Sequence, residues 1–510
     1  MIRFADKRIL LECLRPDLAG LGSKVAIGAA WTFTNVGLRI VLTIASTAIL
    51  ARLLTPEDFG LIAMSALVTE FAALLGNIGI GGILIQRKAL RRLDMDTAFW
   101  ITMAIDTALC LLVLVASFIA AAIFETPQVQ TIIAVSSLSF ILAGLSTIHL
   151  ALLSRTMRFR EDFMVQAGSL VVRLTASVVL AVSGFGVWSL VFAALIGQAT
   201  TLLLACAVVP FVPRLRFNRR LLSEYARTSG SYLGGGLVNY LMSNIDYMIV
   251  GRRFGPEALG YYQTAFSLPE ELRNRLSAPL QRVLFPAYSR LQDDLSAMQY
   301  GVLKSLRLLS AITIPLGVGL AAVSDGLVQV LYGNQWLPVI PLLEILAIGG
   351  AARSIFSLTA NIFYATDNPH LAFKISLAML PVTIVALVTG SQWGLTGVAW
   401  AMLAVQFLSA ISAHLALRLI ELSLLDFLKQ LFPATTASAL MFAALRALPD
   451  ELLSAPPLVS LLLEVMIGAT LYALALAFIA PPLFREFREI ARRIVGRRSP
   501  PESPGAPSDK

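Results

Sequence analysis

The sequence predicts an all-α integral membrane protein with about fourteen transmembrane helices. Of its 510 residues, 57% are hydrophobic and only 14% are charged, whereas about 25% of a soluble domain is charged. Apolar runs of about 20 residues recur from Val25 to Ile479, and each is long enough to cross a hydrocarbon core of roughly 30 Å. This composition excludes a soluble enzyme, a secreted disulfide scaffold and a disordered chain.

Each predicted span is an apolar run that ends at charged or turn-forming residues. The approximate spans are 25–51, 59–85, 98–123, 129–152, 163–183, 186–209, 229–251, 259–285, 304–331, 338–363, 371–389, 394–417, 430–448 and 458–480. The eighth span contains several charges, which makes an interfacial helix an alternative there. We keep it as a transmembrane helix with one water-exposed face, because removing it would reverse the predicted side of every later loop.

Positive charge is concentrated in alternate connections between these spans. Arginines cluster at residues 87–92, 155–160 and 214–220, whereas the connections after spans 5, 9 and 11 contain no Lys or Arg. Because cytoplasmic loops carry the excess of Lys and Arg, both termini are predicted to be cytoplasmic. The net charge of +9 is thereby explained by orientation, and nucleic acid is not an expected partner.

The sequence offers neither a cofactor motif nor a metal-binding pattern. The three cysteines and three histidines are scattered without ligand spacing, and no phosphate-binding GxxxxGK[ST] loop is present. We therefore expect no cofactor, no metal and no catalytic residue. Residues 1–22 are predicted to form a cytoplasmic N-terminal segment, and residues 483–510 a basic, disordered cytoplasmic tail.

An internal duplication appears when the chain is compared with itself at an offset of 200 residues. Residues 49–60 read ILARLLTPEDFG and residues 249–260 read IVGRRFGPEALG, with Ile, Arg, Pro, Glu and Gly in matching places. Six spans separate the copies, so the two hairpins share one orientation. The sequence predicts two six-helix lobes as parallel repeats, residues 23–225 and 226–420, with spans 13 and 14 in residues 421–482.

Polar and charged residues lie on matching helical stripes of spans 1 and 7, and others are embedded in later spans. A charge at the bilayer centre costs about 2.5–3.5 kcal/mol, so such residues must line water or pair with one another. Structural ion pairs that lock helices together are one interpretation, and a cationic cavity for a polar or anionic headgroup is the other. The predicted cavity residues are Arg39, Asn35, Arg173, Asn239, Asp246, Arg273, Arg275 and Arg353.

Three stretches carry a resemblance to a known family. They are residues 49–60, the glycine-rich segment GIGGILIQR at 79–87, and DTAFW at 96–100. On these residues the chain resembles the bacterial polysaccharide or O-antigen flippases, the Wzx-type members of the multidrug/oligosaccharidyl-lipid/polysaccharide exporter superfamily. The resemblance implies a non-enzymatic transporter of the bacterial inner membrane that serves O-antigen or other lipopolysaccharide and exopolysaccharide biosynthesis.

The resemblance also implies a substrate and a mechanism. The substrate would be an undecaprenyl-pyrophosphate-linked oligosaccharide, moved by alternating access of two lobes around a cationic lumen. Membrane lipids, a polysaccharide polymerase and a chain-length regulator are the implied partners. Glu70, Asp106 and Glu344 are implied candidates for ion coupling, with Asp246 as a further one. The implied outer-turn residues, which would gate or brace the outer side, are Arg52, Glu57, Arg252 and Glu257.

Three other functions remain as alternatives. A flippase for the lipid-linked peptidoglycan precursor would need the same headgroup chemistry. A cation-coupled multidrug antiporter would favour an acidic, aromatic-lined cavity, and the embedded arginines argue against it. A membrane glycosyltransferase would need a carboxylate constellation in a large outer loop, and the short predicted loops leave no room for one.

Overall fold

The computed structural model describes residues 34, 37–39, 42–76, 80–87, 90–449 and 456–485. The predicted N-terminal segment 1–22, Asn35 and tail residues 486–510 lie outside them. Throughout the described part the chain is helical, with short connections and no strand. This confirms the prediction of an all-α architecture.

The first half of the chain starts with helical residues 42–53 and continues through seven helices. These helices are α1 (Pro56–Gly76), α2 (Ile80–Gln86), α3 (Arg92–Phe124), α4 (Pro127–Ser136), α5 (Leu138–Arg155), α6 (Phe159–Val182) and α7 (Trp188–Val208).

The second half begins with a long helical stretch that is kinked at Gly255, whose φ of 83° departs from helical geometry. This stretch is α8 (Arg219–Arg290). The helices after it are α9 (Leu295–Ala322), α10 (Ser324–Leu331), α11 (Val339–Ala365), α12 (Pro369–Gly390), α13 (Gly394–Arg418), α14 (Leu424–Arg446) and α15 (Pro457–Ile479). Predicted spans 7 and 8 both lie within α8.

Side chains at the helix starts explain several of these boundaries. The Asp294 carboxylate accepts a hydrogen bond from the Ala297 amide at 2.9 Å, before α9. Ser423 and Asp426 form a capping box at the start of α14, which satisfies amides that have no partner inside the helix. The Ser423 hydroxyl, by donating to the Asp426 carboxylate, lowers the pKa of Asp426 below its usual value.

Nine helical segments within the described part are long and apolar enough to cross a membrane. They include α1, α3, α6 and α7 in the first half, and α9, α11 and α15 in the second. The protein is therefore a multi-pass membrane protein. The count of fourteen spans stays a prediction, because the nine segments do not include α8 or α14 and the residues of the first predicted span are only partly described.

The chain divides into two compact units. The first comprises the described residues of Met1–Ala265, Leu331–Leu342 and Phe373–Met402. Within it α6 packs on α7, and α5 packs on both α3 and α7. One of its cores gathers buried side chains of α2, α3 and α5, including Leu84, Phe99 and Leu152.

The second unit comprises the described residues of Phe266–Val330, Leu343–Ala372 and Leu403–Lys510. In this unit α14 packs on both α9 and α15. The Tyr472 hydroxyl on α15 donates to the Ala311 carbonyl on α9 at 2.7 Å. These contacts attach the two C-terminal helices to the unit. The division into lobes at residues 225 and 420 stays a prediction.

Candidate functional site

The duplicated hairpins contact each other reciprocally inside the first unit. A Cβ atom added at Gly60 would overlap the Pro256 carbonyl, and one added at Gly260 would overlap the Pro56 carbonyl. The two glycines occupy equivalent positions of the duplication, 200 residues apart, and so do the two prolines. Such a symmetric contact is what a two-fold relation between two parallel repeats produces, and only glycine lets the backbones approach so closely.

A buried tryptophan braces the first hairpin. The Trp336 indole nitrogen donates to the Ala51 carbonyl at 2.7 Å, and its ring meets Phe59 edge to face with 5.1 Å between centroids. Tyr261, from the second hairpin, packs on the same ring at 6.1 Å. Trp336 thus contacts both copies of the duplicated segment, which fixes the local geometry where they meet.

An arginine–glutamate–arginine cluster lies in the second unit. Arg273 donates to both carboxylate oxygens of Glu270, with Nε 2.9 Å from Oε2. The Arg353 Nη1 atom lies 3.4 Å from the same Oε2. Two guanidinium groups against one carboxylate leave one positive charge in sum. Each side chain keeps 18–25% of its surface exposed, so the cluster remains accessible.

The helices position this cluster through spacing and close packing. Glu270 and Arg273 are three residues apart on α8, which puts them on one helical face. Arg353 comes from α11, where Gly350 precedes it by one turn. A Cβ atom at Gly350 would lie 2.8 Å from the Pro269 Cβ atom. Glycine therefore allows α11 to approach α8 closely enough for Arg353 to reach Glu270.

A small cavity lies beside the cluster. Its volume is about 20 Å³, and Arg273, Thr313, Gly317, Gly350 and Ser354 are among its lining residues. A space of this size holds about one water molecule. The guanidinium of Arg273 can therefore keep a hydration partner among the helices.

Two further predicted cavity arginines lie near each other in the first unit. Arg39 and Arg173 are both exposed, and their charges interact repulsively. The aliphatic stem of Arg173 packs against Gly197 on α7. Neither guanidinium has an acidic partner among the described residues. Arg39 and Arg173 thus form an uncompensated positive region.

The remaining predicted cavity residues have different surroundings. Asp246 is buried, and its Oδ2 atom accepts a hydrogen bond from the Tyr262 hydroxyl at 3.0 Å. Asn239 is exposed on α8. Arg275 lies on the same helix, but its side chain is outside the described part. A substrate contact at these three residues stays a prediction.

The acidic candidates for ion coupling are not equivalent. Glu344 pairs with Arg446 and lies 3.4 Å from the Ser324 hydroxyl. Glu70 is exposed on α1, and the Asp106 Oδ2 atom lies against Gly144 of α5. Neither Glu70 nor Asp106 has an ion-pair partner among the described side chains. Coupling at any of these residues stays a prediction.

Two of the four outer-turn residues, both in the second hairpin, make side-chain hydrogen bonds that the structure describes. Arg252 donates to the Glu125 carboxylate at 2.7 Å, and Glu257 accepts from the Tyr261 hydroxyl at 3.0 Å. Arg52 and Glu57 are exposed. The pair between Arg252 and Glu125 links the second hairpin to the end of α3.

One charged cluster surrounds the predicted residue Glu344, and the sequence analysis did not predict its other members. Arg446 pairs with Asp325 at 3.6 Å as well as with Glu344, and Glu464 interacts with both Asp325 and Arg446. These residues come from α10, α11, α14 and α15, so no local spacing brings them together. Among the described residues, no group of His, Cys, Asp or Glu has the arrangement of a metal site.

The family described as "Polysaccharide biosynthesis protein" matches residues 49–341, which is more than half of the chain. The chain belongs to this family. The matched residues contain both copies of the duplicated hairpin and Trp336, which lies between them.

Two curated relatives have names that specify a pathway. The lipopolysaccharide biosynthesis protein WzxC of Escherichia coli (strain K12) is 25% identical over 401 residues, covering 77% of this chain and 81% of the relative. The succinoglycan biosynthesis transport protein ExoT of Rhizobium meliloti (strain 1021) is 26% identical over 310 residues, covering 60% and 62%. The present chain is therefore similar to proteins of polysaccharide biosynthesis and transport.

Two solved structures share the fold. The lipid II flippase MurJ in an inward closed conformation matches with a TM-score of 0.68 and 16% identity, covering 92% of this chain and all of that one. An inward-facing multidrug resistance MATE family transporter matches with a TM-score of 0.58 and 12% identity, covering 80% and 95%. At these identities the likeness shows the fold alone, and it confirms the all-α integral membrane fold.

Proposed function

We propose that this chain is a flippase for undecaprenyl-pyrophosphate-linked oligosaccharide repeat units. It would move them from the cytoplasmic to the outer leaflet of a bacterial inner membrane by alternating access, for O-antigen or exopolysaccharide biosynthesis. The observation that carries the proposal is the net positive, accessible Arg273–Glu270–Arg353 cluster in a member of the polysaccharide biosynthesis family.

The cluster suits a pyrophosphate headgroup for an electrostatic reason. A guanidinium can donate two parallel hydrogen bonds to neighbouring phosphate oxygens. While the site is empty, Glu270 holds both guanidinium groups and limits the cost of burying them. An arriving anion replaces part of the ion pairing between Glu270 and the two guanidinium groups. The arginine side chains therefore need not move far when the anion binds. Binding of moderate strength is what a carrier requires, because the substrate must also leave.

The reciprocal hairpin contact supplies the proposed gate. Pro56–Gly60 and Pro256–Gly260 lie at turns that the charge alternation predicts to be on the outer side. Their close approach would close that side, and the hairpins would separate for release of the lipid-linked unit. The inward closed conformation of MurJ and the inward-facing conformation of the MATE family transporter are consistent with a closed outer side.

Replacing Arg353 tests the headgroup site. We expect Arg353→Ala to abolish polymer export and to leave lipid-linked repeat units on the cytoplasmic leaflet, because the site loses its net positive charge. Arg353→Lys keeps the charge without the bidentate donor and should transport partially. The measurement is surface polysaccharide together with extracted lipid-linked intermediates, at matched protein levels in the membrane.

Arg418→Ala is the matched control, since Arg418 is an exposed arginine at the end of α13 and should not affect export. Normal export by Arg353→Ala would disprove the headgroup role of this cluster. Accumulation of the peptidoglycan lipid precursor, in place of the polysaccharide intermediate, would favour the peptidoglycan alternative.

A further inference from the structure

A second cavity lies within the first unit. It measures about 470 Å³, which is in the range of small-molecule sites. Three connections surround it: the turn before α1, the start of α4 and the loop of residues 183–187 between α6 and α7. The loop alternation predicts all three to be on the outer side. The polar and aromatic residues that line the cavity are Glu57, Asp58, Gln128, Thr131, Phe185 and Trp188.

One side of the cavity is polar and acidic. Asp58 is held in place, because its Oδ2 atom accepts from both the amide and the hydroxyl of Thr55 at 2.9 Å. The side chains of Glu57, Gln128 and Thr131 are exposed and have no hydrogen-bond partner among the described residues. A carboxylate, an amide and a hydroxyl therefore offer both acceptors and donors to a ligand.

The other side is aromatic. Phe185 keeps 48% of its surface exposed, and Trp188 stacks on Phe192 with 5.5 Å between centroids and 27° between planes. The loop that carries them is ordered by backbone hydrogen bonds, including Phe185 N to Leu180 O at 3.2 Å. Its left-handed turn residue Gly184, with φ of 83°, takes a conformation that favours glycine.

We propose that this cavity binds a neutral or amino sugar of the translocated oligosaccharide after it reaches the outer side. A pyranose has an apolar C–H face, which packs on aromatic rings, and a rim of hydroxyls that need acceptors and donors. The two carboxylates disfavour an anion, so the cavity takes the sugar end and leaves the pyrophosphate elsewhere. The inference rests on the proposed function and on the predicted orientation.

The second copy of the duplication lacks this chemistry. Ala258 stands where the first copy has Asp58, and Arg253 donates to the Ser391 hydroxyl at 2.8 Å. Ser391 lies in the loop between α12 and α13, which corresponds to the loop between α6 and α7. In the second copy the turn and the loop are thus joined directly. The acidic, aromatic lining of the first copy is therefore not a requirement of the fold.

Saturation-transfer NMR on the full chain in detergent micelles tests the site with defined probes. Cellobiose and glucosamine should receive saturation from the protein, and glucuronate should not, because it carries a negative charge. Trp188→Ala should weaken cellobiose binding about three- to tenfold, the usual range for loss of an aromatic contact. Trp188→Phe should retain most of the binding, and Glu57→Gln should weaken glucosamine more than cellobiose.

Trp393→Ala is the matched control, since Trp393 is 72% exposed at the corresponding loop of the second copy and should leave binding unchanged. Absence of any signal from cellobiose and glucosamine overturns the proposal. Equal binding by wild type and a folded Trp188→Ala variant, or equal binding of glucuronate, overturns it too.

Failure here and failure of the flippase assignment are distinguishable. If sugars do not bind but Arg353→Ala still blocks export, only the sugar site is rejected. If deleting the gene leaves polysaccharide export and lipid-linked intermediates unchanged, the flippase assignment is rejected whatever the NMR result.

Discussion

At the scale of single residues, the decisive feature is one carboxylate shared by two arginines. Glu270 and its predicted equivalent in the first repeat, Glu70, occupy matching positions of the duplication. Glu70 is exposed and has no described ion-pair partner, whereas Glu270 contacts Arg273 and Arg353. The repeats therefore share a residue but not its chemistry, and the charged cluster belongs to the second repeat.

Removing that carboxylate should expose the repulsion it now compensates. We expect Glu270→Gln to lower the free energy of unfolding by about 1.5–3 kcal/mol, the usual loss for a hydrogen bond to a charged group. Inorganic pyrophosphate should restore stability to the variant more than it raises that of the native protein, because the anion takes the place of the carboxylate. Thermal unfolding in detergent, with and without pyrophosphate, measures both effects.

Glu257→Gln is the control for this experiment, because Glu257 is an exposed acidic residue outside the cluster. Pyrophosphate should stabilise it no more than the native protein. An equal pyrophosphate effect in the native protein and in both variants would contradict anion binding between Arg273 and Arg353.

At the scale of helices, the two hairpins share a contact that tolerates no side chain. We expect Gly60→Ala to force the hairpins apart, at a cost of about 1–3 kcal/mol for overpacking, and to impair export. A cysteine introduced at the buried Leu259, in a background without native cysteines, should then react faster with a membrane-impermeant maleimide. The labelling rate and polysaccharide export are measured together.

The matched variant is Gly82→Ala on α2, where an added Cβ atom would have no neighbour within 4 Å. This variant should change neither the maleimide labelling rate nor polysaccharide export. Slow labelling and full export in Gly60→Ala would contradict the gating role of the hairpin contact.

Most helices could be predicted from the sequence because apolar length alone specifies a span. The predicted spans 371–389 and 394–417 closely match α12 and α13. The predicted span 59–85 instead covers both α1 and α2, because hydropathy alone treats the whole apolar run as one segment; residues 77–79 lie outside the described part. Contacts between helices were beyond prediction: Arg353 reaches Glu270 across 83 residues, and only tertiary packing decides that.

The residue types of the candidate site could be predicted from the sequence, but the contacts between them could be predicted only in part. Embedded charge pointed to Arg273 and Arg353 because each must find water or a partner. The same rule gave no means to foresee that Asp246 would be buried with the Tyr262 hydroxyl as a hydrogen-bond partner. No feature of the sequence indicated that Trp336 contacts both hairpins, because tryptophans are common beside apolar spans at a membrane interface.

At the scale of the whole molecule, the orientation rests on the loop charges and can be tested with fusions. We expect green fluorescent protein fused after residue 510 to fluoresce, because it folds in the cytoplasm. Alkaline phosphatase inserted between α14 and α15 should be active, because it folds outside. Fusions between α13 and α14 serve as the opposite control, and a reversed pattern would overturn both the orientation and the outer location of the second cavity.

The reciprocal glycine contact has a consequence for the history of the chain. One patch meeting its own copy across a two-fold axis is the geometry of an isologous dimer. In an ancestor of half this length, one glycine codon would have served both sides of the interface. After duplication and fusion each glycine needs its own codon, and the halves can diverge wherever they do not touch. On this duplication hypothesis, Gly60 and Gly260 occupy what was once the interface between two identical subunits.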